Sequence, residues 1–173
     1  ETSKVFNSSV SYPNNPFANQ LKTTAKFINS HLDSKVYYVS MGGFDTHAYQ
    51  IKRQERLLKL YSESVATFVK DLEANNTFKD TLILTFSEFG RRVKQNASNG
   101  TDHGTANNVF VIGKNLKKAG FYNNAPDLNN LDKNGDLIYD IDFRTIYATL
   151  LNKWLDCSSE IILNQQFKPL DFI

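Results

Sequence analysis

Apolar side chains recur at Phe17, Leu21, Ala25, Ile28 and Leu32, the 3.6-residue spacing of one helix face, and Pro16 suits the first helical position. The sixteen residues that begin the chain are rich in Ser, Asn and Pro and predict a loop or tail. Residues 36–41 (VYYVSM) are β-branched and aromatic, which predicts a buried strand ended by Gly42 and Gly43. A long amphipathic helix is expected from 49 to about 74, on the spacing of Ile51, Leu57, Leu58, Tyr61, Val65, Phe68, Val69 and Leu72. Two further apolar runs, 81–86 (TLILTF) and 108–112 (NVFVI), read as strands, and 113–134 reads as loop. A last helix is expected from 143 to about 155, with Asp142 as its N-cap and a core-like stripe of Tyr147, Leu151 and Trp154. The tail carries Phe167, Leu170 and Phe172, apolar enough to dock on the body.

Helices alternating with apolar strands predict an α/β fold with a mainly parallel sheet flanked by helices, residues 17–173 forming a single domain after the 1–16 tail. In such sheets ligands sit beyond the carboxyl ends of the strands. The polar segments GGFDTH and SEFGRR each follow an expected strand directly, and TDHG lies in the loop before the third.

Composition narrows the function. A length of 173 residues suits one domain, and 20 basic against 18 acidic residues, spread without a long basic run, give no electrostatic case for nucleic acid. No apolar run approaches the ~20 residues that span a bilayer. The single cysteine, Cys157, cannot form an internal disulfide and leaves the compartment open. A chain starting at Glu1, without methionine or signal peptide, is expected to be a processed or truncated piece.

The polar segments carry the chemistry. Asp45 and His47 are two apart, so on extended backbone both side chains project to one side, one offering a hard oxygen and the other an imidazole nitrogen. The competing reading makes Asp45 a cap of the long helix. Glu88 follows an apolar strand, where a buried carboxylate needs a cation. Arg91 or Arg92 neutralises it on one reading; on the other, Glu88 ligates a metal and Arg91 meets an anionic substrate group. Asp102 and His103 are adjacent between Gly100 and Gly104, so one ligates a metal while the other orients it or ligates a second ion, against the alternative of a solvated turn.

Two of the chain's three histidines thus lie beside carboxylates at one expected edge, which favours a metal or polar active site. The third, His31, reads as a surface residue near a helix end. The segment LDKNGDLIYD places Asp132, Asn134, Asp136 and Asp140 at calcium-loop-like spacing. It lacks the sixth-position Gly and closing Glu of an EF-hand, so an Asn-Gly turn explains it better. Ser40, Thr46, Ser87, Thr101 and Thr105 lie near these motifs, yet none sits in a nucleophile elbow.

The ordered set GGFDTHAYQ, LILTFSEFGRR, GTDHGTANNVFVIG and DFRTIYATLLNKWL resembles the bacterial domain of unknown function fifteen-hundred-and-one, from about Asn15 to the C-terminus. That family is similar to the alkaline phosphatase and sulfatase superfamily. The resemblance implies an alkaline-phosphatase-like parallel sheet and a one- or two-metal site. It also implies hydrolysis of phosphate or sulfate esters, small anionic molecules or sulfated or phosphorylated glycans, by an exported bacterial protein. Carried over, Asp45 and His47 fall in the first metal segment, and His103, with Asp102 beside it, at the late metal histidine. Glu88 stands where the superfamily places an Asp-His pair. The superfamily's nucleophile belongs to an N-terminal segment outside this chain, which makes the chain a C-terminal portion of the full domain, inactive by itself. The imidazoles tilt the metal toward Zn or Mn, with Ca and Mg also compatible. The alternative function is an exported, non-catalytic binding or scaffolding domain of the same fold; a third reading leaves the motifs only capping helices and joining loops.

Overall fold

The computed structural model describes residues 6–173. Of the loop expected over 1–16, residues 1–5 lie outside the described residues, and 6–15 carry neither helix nor strand. Two compact units account for the chain, one of residues 1–81 with 96–100, the other of 82–95 with 101–173.

The first unit is helical. Helix α1, Pro16–Asn29, begins at an Asn15 side chain that accepts from the Ala18 N–H at 2.8 Å, and it buries Ala18, Leu21 and Ala25. Helix α2, Gln50–Ala74, buries Leu57, Val65, Phe68 and Leu72, each worth roughly 1.5–3 kcal/mol. Ile51 and Leu58, expected on the same stripe, are exposed. Polar groups fasten the helices where they pack. Asp71, fully buried, accepts from the Tyr12 hydroxyl at 2.8 Å, and the Asn15 amide donates to the Ser64 hydroxyl at 3.3 Å.

Both helices end by backbone geometry. After α1, His31 takes a positive φ of 52° and its N–H donates to Ile28 O while Leu32 N–H reaches Phe27 O. Asn76 repeats the arrangement after α2, with bonds from Asn76 N to Glu73 O and Thr77 N to Leu72 O. These paired bonds satisfy carbonyls a helix end would otherwise leave open. His31 is exposed, as the sequence suggested, and its link to the helix carbonyls is through its backbone.

The second unit holds the strands. Strands β1 (Leu82–Thr85) and β4 (Phe110–Gly113) pair antiparallel, Leu82 opposite Gly113. Between them in sequence, β2 (Gly90–Gln95) and β3 (Thr101–Gly104) form a second antiparallel pair, Arg91 opposite His103. Helices α3 (Phe143–Lys153) and α4 (Ser159–Leu163) follow. Asp142 caps α3 by accepting from Arg144 N–H at 2.9 Å. The C-terminal segment docks as its apolar residues suggested: Phe172 is buried, and Leu170 N–H donates to Thr149 Oγ1 at 2.8 Å. The Asn134-Gly135 turn is present. Leu131 bridges Leu137 and the Asp132 carboxylate accepts from Asn134 and Asp136 N–H, while Gly135 takes φ 81°.

The expectation of a mainly parallel sheet is overturned. The sheets are two antiparallel pairs, and no parallel pairing occurs among the described residues. Parallel neighbours need a crossover of a dozen or more residues, usually a helix, whereas the excursion from β1 to β4 is a nested hairpin that brings the chain back in the opposite direction. Residues 36–41, the expected first strand, join no ladder, and Val36 and Tyr38 are 70% and 78% exposed. TDHG, expected in a loop, is strand β3 itself.

Candidate functional site

The GGFDTH segment of the first unit alternates as extended backbone requires. Asp45 and His47 are exposed and Thr46 between them is fully buried. The two outward side chains meet, His47 Nε2 lying 2.9 Å from Asp45 Oδ1, with about half of His47 still open to solvent. The segment turns onto this course at Gly43, whose φ of 97° lies where side chains are strained.

The position of His47 is fixed from outside its own segment. Asn96 Nδ2 donates to His47 O at 3.0 Å, and Asn96 Oδ1 accepts from Ser98 and Gly100 N–H. Gly100 packs so closely that a Cβ there would lie 2.3 Å from the carbonyl carbon and oxygen of His47. The same turn caps α2. Tyr49 N–H donates to Ser98 O and Gln50 N–H to Asn99 O, each at 3.0 Å. No side chain caps this helix start, which begins at Tyr49. Asp45 is therefore not the cap its position suggested; the turn's carbonyls do that work, and the carboxylate is directed to His47 instead.

In the second unit, His103 is exposed on β3, and its imidazole stacks on the Phe89 ring with centroids 3.9 Å apart and planes 12° from parallel. The Arg91 guanidinium lies over the same ring, 5.0 Å from its centroid, while Arg91 Nη1 donates to Thr101 O at 2.7 Å. Asp102 is exposed beside His103. Glu88 is exposed in the connection between β1 and β2, so the cost of burying its carboxylate does not arise. Arg92 is committed elsewhere, its Nε 3.2 Å from Asp136 Oδ1, a carboxylate that is itself buried. Hydrogen bonds from the Asp136, Asn134 and Gly135 N–H groups, with Arg92 nearby, hold the Asp132 carboxyl below its usual range.

The structure thus joins Asp45 to His47 in one unit, and gathers His103 and Arg91 at Phe89 in the other. Aspartate oxygen with imidazole nitrogen is a donor set suited to a divalent transition ion, and the exposure of both leaves them accessible to one. Sequence reasoning passed over Asn96, Gly100 and Phe89. The Asn-Gly-rich run 96–100 is itself a turn signal, but nothing in it says which segment it supports.

A family model described as Protein of unknown function (DUF1501) matches residues 12–155, most of the chain. No curated protein and no solved structure matches it.

Proposed function

Taking as premise that the chain belongs to the DUF1501 family, we propose that it is an exported, metal-dependent hydrolase-type domain acting on phosphate or sulfate esters. The observation that carries this reading is the Asp45–His47 pair, two ligand-type side chains held 2.9 Å apart on a segment pinned by Asn96 and Gly100. The choice of reaction is supported by the resemblance of the GGFDTH, SEFGRR and TDHG motifs to the alkaline phosphatase and sulfatase superfamily, a kinship that is part of the proposal. His103, with Asp102 and Glu88, supplies further candidate ligands. A bound ion would polarise the ester oxygens. Arg91 has the planar donor fork that meets two oxygens of a phosphate or sulfate group, and its anchor on Thr101 O holds the fork in place. The substrates that fit are small anionic esters, sulfated or phosphorylated glycans among them.

The test is elemental analysis of untagged protein after incubation with Zn or Mn, beside His47→Ala and His103→Ala variants, with turnover of aryl phosphate and aryl sulfate esters measured in parallel on a longer form that carries the superfamily's N-terminal nucleophile segment. Near-stoichiometric metal, lost in the variants together with turnover, is the expected result. Metal without turnover points to the non-catalytic binding domain. A chain that takes up no metal ends the proposal.

A further inference from the structure

Phe89 is an apolar residue in a polar motif, and its backbone is held by neighbouring groups. Its carbonyl accepts from the Asn107 side-chain amide at 2.8 Å and from the Ser87 hydroxyl at 3.0 Å. The next residue, Gly90, packs against backbone so tightly that a Cβ would fall 1.6 Å from Ala106 O. The Phe89 backbone is thus held at its carbonyl and at the following residue, and its ring becomes a platform for two exposed or half-exposed side chains. On β3, His103 lies flat against it at 3.9 Å. On β2, Arg91, the cross-strand partner of His103, lies over it at 5.0 Å.

We propose that Phe89 is the positioning residue for both functional side chains of this hairpin, fixing the plane of the His103 imidazole and the reach of the Arg91 guanidinium. The inference rests on the reading of His103 as a metal ligand and of Arg91 as the anion-holding group. The physics favours that use of an aromatic face. The ring's negative quadrupole attracts a guanidinium, and it attracts an imidazole more strongly once a bound cation has drawn electron density from it. A freely rotating imidazole loses rotamer entropy on ligation, whereas one already stacked has lost it beforehand. A side chain with the same apolar bulk but no π face would supply neither effect.

The experiment compares wild type with Phe89→Leu and Phe89→Tyr, using His103→Ala to assign the His103 imidazole proton resonances. In wild type, without metal, those resonances are displaced upfield by the Phe89 ring current. Phe89→Leu returns them to ordinary positions and weakens zinc binding about 3- to 10-fold, the size expected for one stacked aromatic contact. In the longer form that carries the nucleophile segment, it raises KM for an aryl phosphate more than it lowers kcat. Phe89→Tyr, which keeps the π face, restores all three. Unmoved His103 resonances in Phe89→Leu overturn the inference, and so do moved resonances with zinc affinity and KM unchanged. If wild type takes up no zinc, the metal reading fails, and the metal-free resonances alone decide whether Phe89 orients His103.

Discussion

A single methyl group at position 100 would collide with the backbone of His47. The ideal Cβ lies 2.3 Å from two of its atoms, closer than any relaxed contact. Gly100→Ala is therefore expected to destabilise the fold by about 1–3 kcal/mol, the usual cost of overpacking, and to lower metal uptake by displacing His47. Urea denaturation and elemental analysis check the two effects, and an unchanged midpoint would show that the turn yields without cost. Asp45→Asn makes the complementary case. The pair is exposed and water screens it, so stability should change by less than about 0.5 kcal/mol while zinc affinity falls at least tenfold. Equal zinc binding by the variant would remove Asp45 from the ligand set. At this scale the sequence told much, because a two-residue spacing on extended backbone is a local matter. It placed Asp45 and His47 on one side correctly. It missed Gly100, Asn96 and Phe89, whose roles arise from contacts with segments distant in the chain.

Helices were the elements most readable from periodicity. The expected α1, α2 and α3 agree with the observed spans to within a few residues, down to Pro16 and the Asp142 cap. Asp142→Ala removes the side-chain bond to the Arg144 N–H together with the ion pair to the Arg144 guanidinium and should cost about 1 kcal/mol, read as a lower urea midpoint. Leu72, with no exposure near the C-terminal end of the α2 stripe, should cost about 2–5 kcal/mol as Leu72→Ala. A loss under 1 kcal/mol would mean the α1–α2 packing collapses to refill the space. Strands were half readable. The apolar runs at 81–86 and 108–112 are strands, the run at 36–41 is not, and TDHG is one without any apolar signal. A short β-branched run reports local preference for extended backbone, whereas a strand exists only where another segment offers its N–H and C=O groups in register.

Over the whole molecule, titration sets limits at both ends of the pH scale. Burial, then the hydrogen bond to Asp71 and its charge, push the Tyr12 hydroxyl well above its ordinary value of 10.0. A raised folded value means the contribution is complete below about pH 10 and fades as pH climbs beyond it, since the unfolded chain then ionises first. At the acid end, Asp132, Asp142 and Asp171 lie below their ordinary 3.8, chiefly through backbone N–H groups at Asp132, the Arg144 side chain at Asp142 and Lys117 at Asp171. Depressed values act in the other direction, so their contribution is present above about pH 4 and is lost as pH falls further. The urea midpoint should therefore fall below about pH 4 and above about pH 10, and Tyr12→Phe should flatten the alkaline limb alone. An alkaline limb identical in the variant would assign that loss to other groups.

By itself the sequence determined what depends on neighbours along the chain: helices α1, α2 and α3, the Asp142 cap, the Asn134-Gly135 turn and the shared side of Asp45 and His47. Periodicity and capping act within a few residues, so they are written locally. Tertiary structure alone decided strand direction, the turn that holds His47, and the ring beneath His103 and Arg91. Each of those depends on which distant segment arrives to satisfy a backbone group or fill a face, and no local pattern specifies that partner.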